Sequence, residues 1–156
     1  MSVAWAVLAL IGLAALAAWA LRAYRSALAA GLIGEISETL ALLETHDVEA
    51  GLARCGDDGA PPSLPALPTL SYRGELARMA LIGAHVARLA AAFYAAAEAL
   101  HDELVDLAAA APGPARAERV RSAKRELERT FDLGDETLRA LRDVVARRRC
   151  RTLMRA

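Results

Sequence analysis

The stretch Val3 to Leu21, VAWAVLALIGLAALAAWAL, runs nineteen residues without a charge and constrains the fold more than any other feature of the chain. As a helix it reaches roughly 28 Å at 1.5 Å per residue, close to the hydrocarbon thickness of a bilayer. Trp5 and Trp19 stand near its two ends, where interfacial aromatics sit. Arg22, Tyr24 and Arg25 follow at once and can snorkel toward headgroups. A transmembrane anchor over residues 1–25 is therefore expected, with the lipid bilayer as a partner.

Two rival readings fit less well. Ala18-Trp19-Ala20 has the small-x-small shape of a signal-peptide cleavage site. The run lacks a preceding Lys or Arg, however, and exceeds a usual signal-peptide apolar core. A soluble core helix this apolar on every face would need a larger protein around it. Arg22 and Arg25 after the span, with nothing basic before it except the amino terminus, place the rest of the chain on the cytoplasmic side of an inner (plasma) membrane.

The 156 residues suit one domain, and their 56% apolar content rests on 38 alanines, with only 4% aromatics. That composition excludes collagen-like, disulfide-rich and disordered classes, and a single long apolar run excludes a polytopic transporter. Eighteen arginines against one lysine, Lys124, point to a GC-rich, bacterial genome as a matter of codon usage. The net charge is zero but unevenly spread. Residues 35–58 hold seven acids against Arg54, and residues 112–156 hold thirteen bases against seven acids. Separated charge of this kind can attract within the chain or sort partners.

No strand-like alternation occurs after the span. Residues 26–54 read as an amphipathic helix with Ile33, Ile36, Leu40 and Leu43 on one stripe and Glu35, Glu38, Glu44 and Glu49 outside it. Residues 55–71, CGDDGAPPSLPALPTLS, carry four prolines and form a connector that Leu64, Leu67 and Leu70 can pin down. Ser71 can cap a short helix from Tyr72 to about Leu81, and Gly83 is either a break or only a weak spot. Val86, Leu89, Phe93, Ala97, Leu100, Leu104 and Leu107 make a stripe that Pro112-Gly113-Pro114 ends, so that 72–111 is a short helix plus a long one. Over 115–149, Val120, Lys124, Leu127, Phe131, Gly134, Leu138, Leu141 and Val145 alternate steps of four and three, a coiled-coil-like heptad seam. Lys124 and Gly134 are its imperfections, and residues 132–135 can hold a kink. The expected fold is all-α: an N-terminal transmembrane helix followed by an up-down-up antiparallel bundle, with a basic tail at 150–156. This order puts Arg54 and Arg149 together at the end far from the membrane.

Candidate sites are few. Arg147, Arg148, Arg149, Arg151 and Arg155 form the one basic cluster. It could contact a polyanion, but the absence of interleaved aromatics disfavours nucleic acid, and basic residues at a helix end also complement its dipole. Cys55 and Cys150 are expected as free thiols in the cytoplasm, or as a disulfide if the bundle faces the envelope. Glu98 and His101 have the E-x-x-H spacing of di-iron bundles, but the second pair is missing; His46 and His85 are isolated. No phosphate-binding glycine loop or nucleophile elbow is present. Small residues four apart (Ala23, Ala27, Gly31; Ala30, Gly34) permit close helix approach. No catalytic residue, metal or cofactor is expected.

The phrases LPTLSYRGELARM and HVARLAAAFYAAAEALHDEL resemble uncharacterised bacterial single-pass membrane proteins with a small helical domain. The resemblance covers the layout of most of residues 1–107. It implies a break near Ile82-Gly83 and a core Phe93 beside a boundary Tyr94, and brings no known activity. The function expected is non-catalytic: an adaptor, scaffold or assembly component that binds a protein partner or a second copy of itself.

Overall fold

The computed structural model describes residues 3–55, 60–62 and 76–153, with backbone alone at 3–4, 76–77 and 147–153. Every element among these residues is helical. In chain order they are α1 (Val3–Thr45), α2 (Val48–Cys55), a 3₁₀ turn (Leu76–Leu81), α3 (Ala84–Ala109) and α4 (Pro114–Leu153).

Helix α1 is one unbroken rod of 43 residues, about 63 Å long. Alanine and leucine dominate it and proline is absent, so nothing in its backbone chemistry interrupts it. Its two halves differ in surroundings. Residues 5–22 are exposed on every face, and from Leu28 onward one face is packed. Among the described residues α1 alone is long and apolar enough to cross a membrane.

The helix expected over 26–54 is broken at His46-Asp47. Asp47 takes a φ of 48°, and its carbonyl accepts the Gly51 amide at 2.8 Å to start α2. Asp tolerates this left-handed geometry better than most side chains. Beyond α2, Pro62 lies so close to Gly51 that a Cβ there would sit 2.8 Å from the proline Cβ. The proposed pins Leu64, Leu67 and Leu70 and the cap Ser71 lie outside the described residues. The short helix expected to end at about Leu81 is a 3₁₀ turn over Leu76–Leu81.

The break at Ile82-Gly83 is present. Gly83 has a φ of 127° and Gly113 one of 139°, values that L side chains rarely adopt. The Gly113 carbonyl accepts the amides of Arg116 and Ala117, and Pro114 fills the first helical position, where its missing N–H costs nothing. Helix α4 then runs 40 residues through 132–135 without a restart.

The direction of α3 corrects the expected up-down-up order. Tyr24 and Arg25 of α1 meet Arg78 and Leu81 before α3, and Glu35 meets Tyr94 within it. Contacts on both helices therefore advance together, so α3 runs parallel to α1. Helix α4 runs antiparallel to both. Arg116 near its start reaches Cys55, Arg119 pairs with Asp106, and Gly134 packs on Leu40 and Phe93. The ends of the connector, Cys55 and Leu76, thus lie at opposite ends of the bundle. Pro62 still lies beside Gly51, and the fourteen residue steps from there to Leu76 can reach up to about 46 Å, more than the roughly 39 Å of helical rise from Gly51 back to Arg25.

Leu28, Leu32, Ile36, Leu40 and Leu43 of α1 and Val86, Phe93, Leu100, Leu104 and Leu107 of α3 belong to one buried core, with α4 packed against both helices. The buried seam of α4 is Val120, Ala123, Leu127, Thr130, Gly134, Thr137 and Leu141, with Leu138 beside it. It alternates steps of three and four, but on a face shifted from the expected one. Lys124 is exposed and Phe131 half-buried, while small Ala123, Thr130 and Thr137 fill the inner positions. Thr130 and Thr137 donate to the carbonyls of Glu126 and Leu133, so their hydroxyls are satisfied inside the apolar core. At Gly134 three helices meet closely: a Cβ there would lie 2.9 Å from Leu40 and 3.2 Å from Phe93. A large residue at 134 would push the helices apart, so the glycine is a packing feature of the seam.

Candidate functional site

The end of the bundle nearest the bare half of α1 gathers most of the residues singled out above. Trp5 and Trp19 are 68% and 63% exposed, so no protein surface covers either ring. Arg22 is exposed as well. Tyr24 and Arg25 turn toward the bundle instead of standing free. Arg78 Nη1 donates to the Tyr24 hydroxyl at 3.0 Å, and the guanidinium carbon lies 5.7 Å from the ring centre, within cation–π range. Arg25 Nε donates to the Leu81 carbonyl. These two contacts clamp the 3₁₀ turn to α1 and fix where α3 begins. Arg78 had no distinguishing sequence signal, since its partner lies 54 residues away.

Below this clamp lies a buried polar pair. Glu35 is 7% exposed and Tyr94 1%, and the Tyr94 hydroxyl donates to Glu35 Oε1 at 2.8 Å. Glu35 therefore does not lie outside the buried face, and Tyr94 is core, not boundary. The Tyr94 ring also meets Phe93 edge to face, with centroids 5.2 Å apart. Thr39 closes the cluster by donating to the Glu35 carbonyl at 2.9 Å. A carboxylate held this way resists the desolvation cost that an unpartnered acid would pay. The pair locks the register of α3 on α1.

The opposite end is tied by Arg116, which is 7% exposed. Its Nη1 donates to the Ala110 carbonyl at 3.0 Å, and Nη2 approaches the Cys55 sulfur at 3.5 Å. Cys55 is buried and reduced here. Cys150 lies 34 residues beyond Arg116 on the same continuous helix, a rise of about 51 Å. A Cys55–Cys150 disulfide within one chain is therefore incompatible with the fold. Nor do Arg54 and Arg149 share an end of the bundle: α4 starts beside Cys55 and travels away from it.

The Arg-rich positions 147, 148, 149 and 151 occupy the last turns of α4. From Gly134, opposite Leu40, α4 climbs about 20–26 Å to reach them. From Leu40, α1 climbs about 23–27 Å back to Arg25 and Arg22. The two basic segments arrive at the same level, whereas the up-down-up order put them far apart.

The remaining candidates do not converge. Glu98 is exposed and His101 half-buried, and His46 and His85 are exposed. Among the described residues no three His, Cys, Asp or Glu side chains form a group able to hold a metal. Glu103 serves packing: it accepts from Ser122 at 2.9 Å and lies 3.8 Å from Arg119. Ala27, Ala30, Gly31 and Gly34 lie together on the outer face of α1, exposed. No protein-family model, curated protein or solved structure matches the chain.

Proposed function

We propose that the chain is a single-pass membrane protein whose small helical bundle works by binding, as an adaptor, scaffold or assembly component, with the bundle on the cytoplasmic face. The observation that carries this reading is the change of surroundings along α1. Nine large apolar side chains from Trp5 to Leu21 stand exposed on all sides of one helix. Burying a side chain of this kind is worth roughly 1.5–3 kcal/mol, so leaving nine in water forfeits on the order of 20 kcal/mol. That exceeds the whole stability of a typical domain, about 5–15 kcal/mol. Hydrocarbon removes the penalty, and the exposed Trp5 and Trp19 suit the two interfaces.

Orientation rests on Arg22 and Arg25 beside the apolar run. The binding role rests on the character of the bundle. Its polar side chains serve its own packing, as Glu35, Thr39 and Arg116 do. Its outward faces carry charge and small residues. A protein partner or a second copy of the chain is the expected occupant of those faces.

The test uses a single exposed thiol. Cys55 is buried and would label poorly, so Glu128→Cys is placed in a Cys55→Ser, Cys150→Ser chain. In intact cells an impermeant thiol reagent should leave it unlabelled until the membrane is opened. Labelling of intact cells would reverse the orientation, and recovery of the chain in the soluble fraction would remove the anchor. Crosslinking in membranes, followed by mass measurement, should give a complex of defined stoichiometry. A strictly monomeric product would end the scaffold reading.

A further inference from the structure

The geometry points to a second membrane contact: the last turns of α4 dock on anionic phospholipid headgroups beside the point where α1 enters the bilayer. This rests on the membrane anchoring proposed above and adds to it a site with a stated ligand chemistry, the phosphate groups of a negatively charged leaflet.

Three observations carry it. First, α4 outruns its neighbour. The Arg119–Asp106 pair sets the antiparallel register, which brings Ala84 at the start of α3 level with about residue 141 of α4. The dozen residues from there to Leu153 extend about 18 Å beyond α3, toward the bare half of α1. Second, the seam changes chemistry at that place. Its register runs 120, 123, 127, 130, 134, 137 and 141 through buried positions and continues as 144, 148 and 151. Those are Val144, Arg148 and Arg151, with Arg147 and Arg149 between. In the register that seats α4 on the bundle, the positions after Val144 are arginines in place of apolar residues. Third, the level is that of Arg22 and Arg25, immediately after the apolar run. Six arginine positions on two helices therefore ring the same height.

A cytoplasmic leaflet rich in anionic lipid attracts each such base by about 1 kcal/mol, or roughly fivefold in occupancy, and the attraction falls off within a Debye length of the surface. The ring lies inside that distance only because α3 runs parallel to α1; the reverse order would have held it roughly 45 Å away, where the surface potential is negligible. The anchor supplies the effective concentration, so even a modest per-residue attraction holds the helix end down. The same height favours lipid over a nucleic acid, which would have to approach along the bilayer.

The test uses the full chain in vesicles of phosphatidylcholine alone and in vesicles with 30% phosphatidylglycerol. Flotation with both vesicle types reads the anchor by itself, and failure to float with either would refute anchoring and not docking. Backbone hydrogen exchange at 142–153 reads docking. It should slow at least tenfold in the phosphatidylglycerol vesicles, return in 0.5 M NaCl, and lose its lipid dependence in R147Q/R148Q/R149Q/R151Q. Equal exchange in the two lipids, with the chain floating in both, overturns the proposal. So does slowing in phosphatidylcholine on addition of inorganic phosphate or poly(U) to the same extent as with phosphatidylglycerol. The lipid comparison on the unmodified chain decides the matter even if the quadruple variant folds poorly. Amides at 120–140 report bundle integrity, and R147K/R148K/R149K/R151K should keep the response.

Discussion

Residues 5–22 and 28–43 belong to the same unbroken helix and share a vocabulary of Ala, Leu and Ile, yet they meet opposite fates. The first half is apolar on every side up to Leu21, and among the described residues it is exposed throughout. The second is apolar on one side and carries Glu38 and exposed small residues on the other. The difference shows that a helix does not need its own bundle to be satisfied along its whole length. An all-round apolar half calls for an all-round apolar solvent, and a striped half calls for neighbours.

The comparison can be broken most forcefully in the bare half. Leu10→Arg with Leu13→Arg should raise the cost of insertion by about 5–7 kcal/mol and remove the chain from the alkaline-extracted membrane fraction. Full retention would mean that lipid is not what surrounds this half. A gentler pair sets the halves directly against each other. Leu32→Ala should lower bundle stability by about 2–5 kcal/mol, because Leu32 is wholly buried, whereas Leu13→Ala should leave the melting curve unchanged within about 0.5 kcal/mol. Equal shifts would erase the distinction. Gly134→Leu should cost about 1–3 kcal/mol by forcing Leu40 and Phe93 away, and a crystal or solution structure should show α4 displaced from α1. Tyr94→Phe should cost about 1–2 kcal/mol by removing the donor to Glu35, with the Leu13 variants again unaffected.

The smallest effect lies outside both halves and serves as a control. Arg121, through its hydrogen bond and its charge, holds the exposed Glu118 carboxyl below its ordinary value of 4.5. The folded value lies below the unfolded one, so its slight stabilisation is present at neutral pH and fades as pH falls below the ordinary carboxylate range. Carbon-detected NMR should find this titration, and Arg121→Ala should move it up while changing melting temperature little.

Much of the local structure was legible. The helical break at Pro112-Gly113-Pro114, the long stripe on α3 and the all-helical character follow from periodicity and from residues that cannot continue a helix, while the break at Ile82-Gly83 is implied by the resemblance. Details that depend on a distant partner were not legible. Glu35 looked solvated because Tyr94, the donor that makes its burial tolerable, lies 59 residues away. Lys124 looked like part of the seam because counting threes and fours cannot choose between two adjacent faces when one is lined with small residues. The helix restart that residues 132–135 could have held is absent, and Gly134 serves contact with Leu40 and Phe93.

By itself the sequence determined the apolar run, the helices and the punctuation between them, because those depend on residues within a turn or two of one another. Only the tertiary structure decided that α3 runs alongside α1 in the same sense. Hydrophobic periodicity carries no direction, and the stretch from Cys55 to Leu76 is long enough to join either end. That one choice separates Cys55 from Cys150, brings Glu35 to Tyr94, and carries the arginines of α4 back to the level of Arg22.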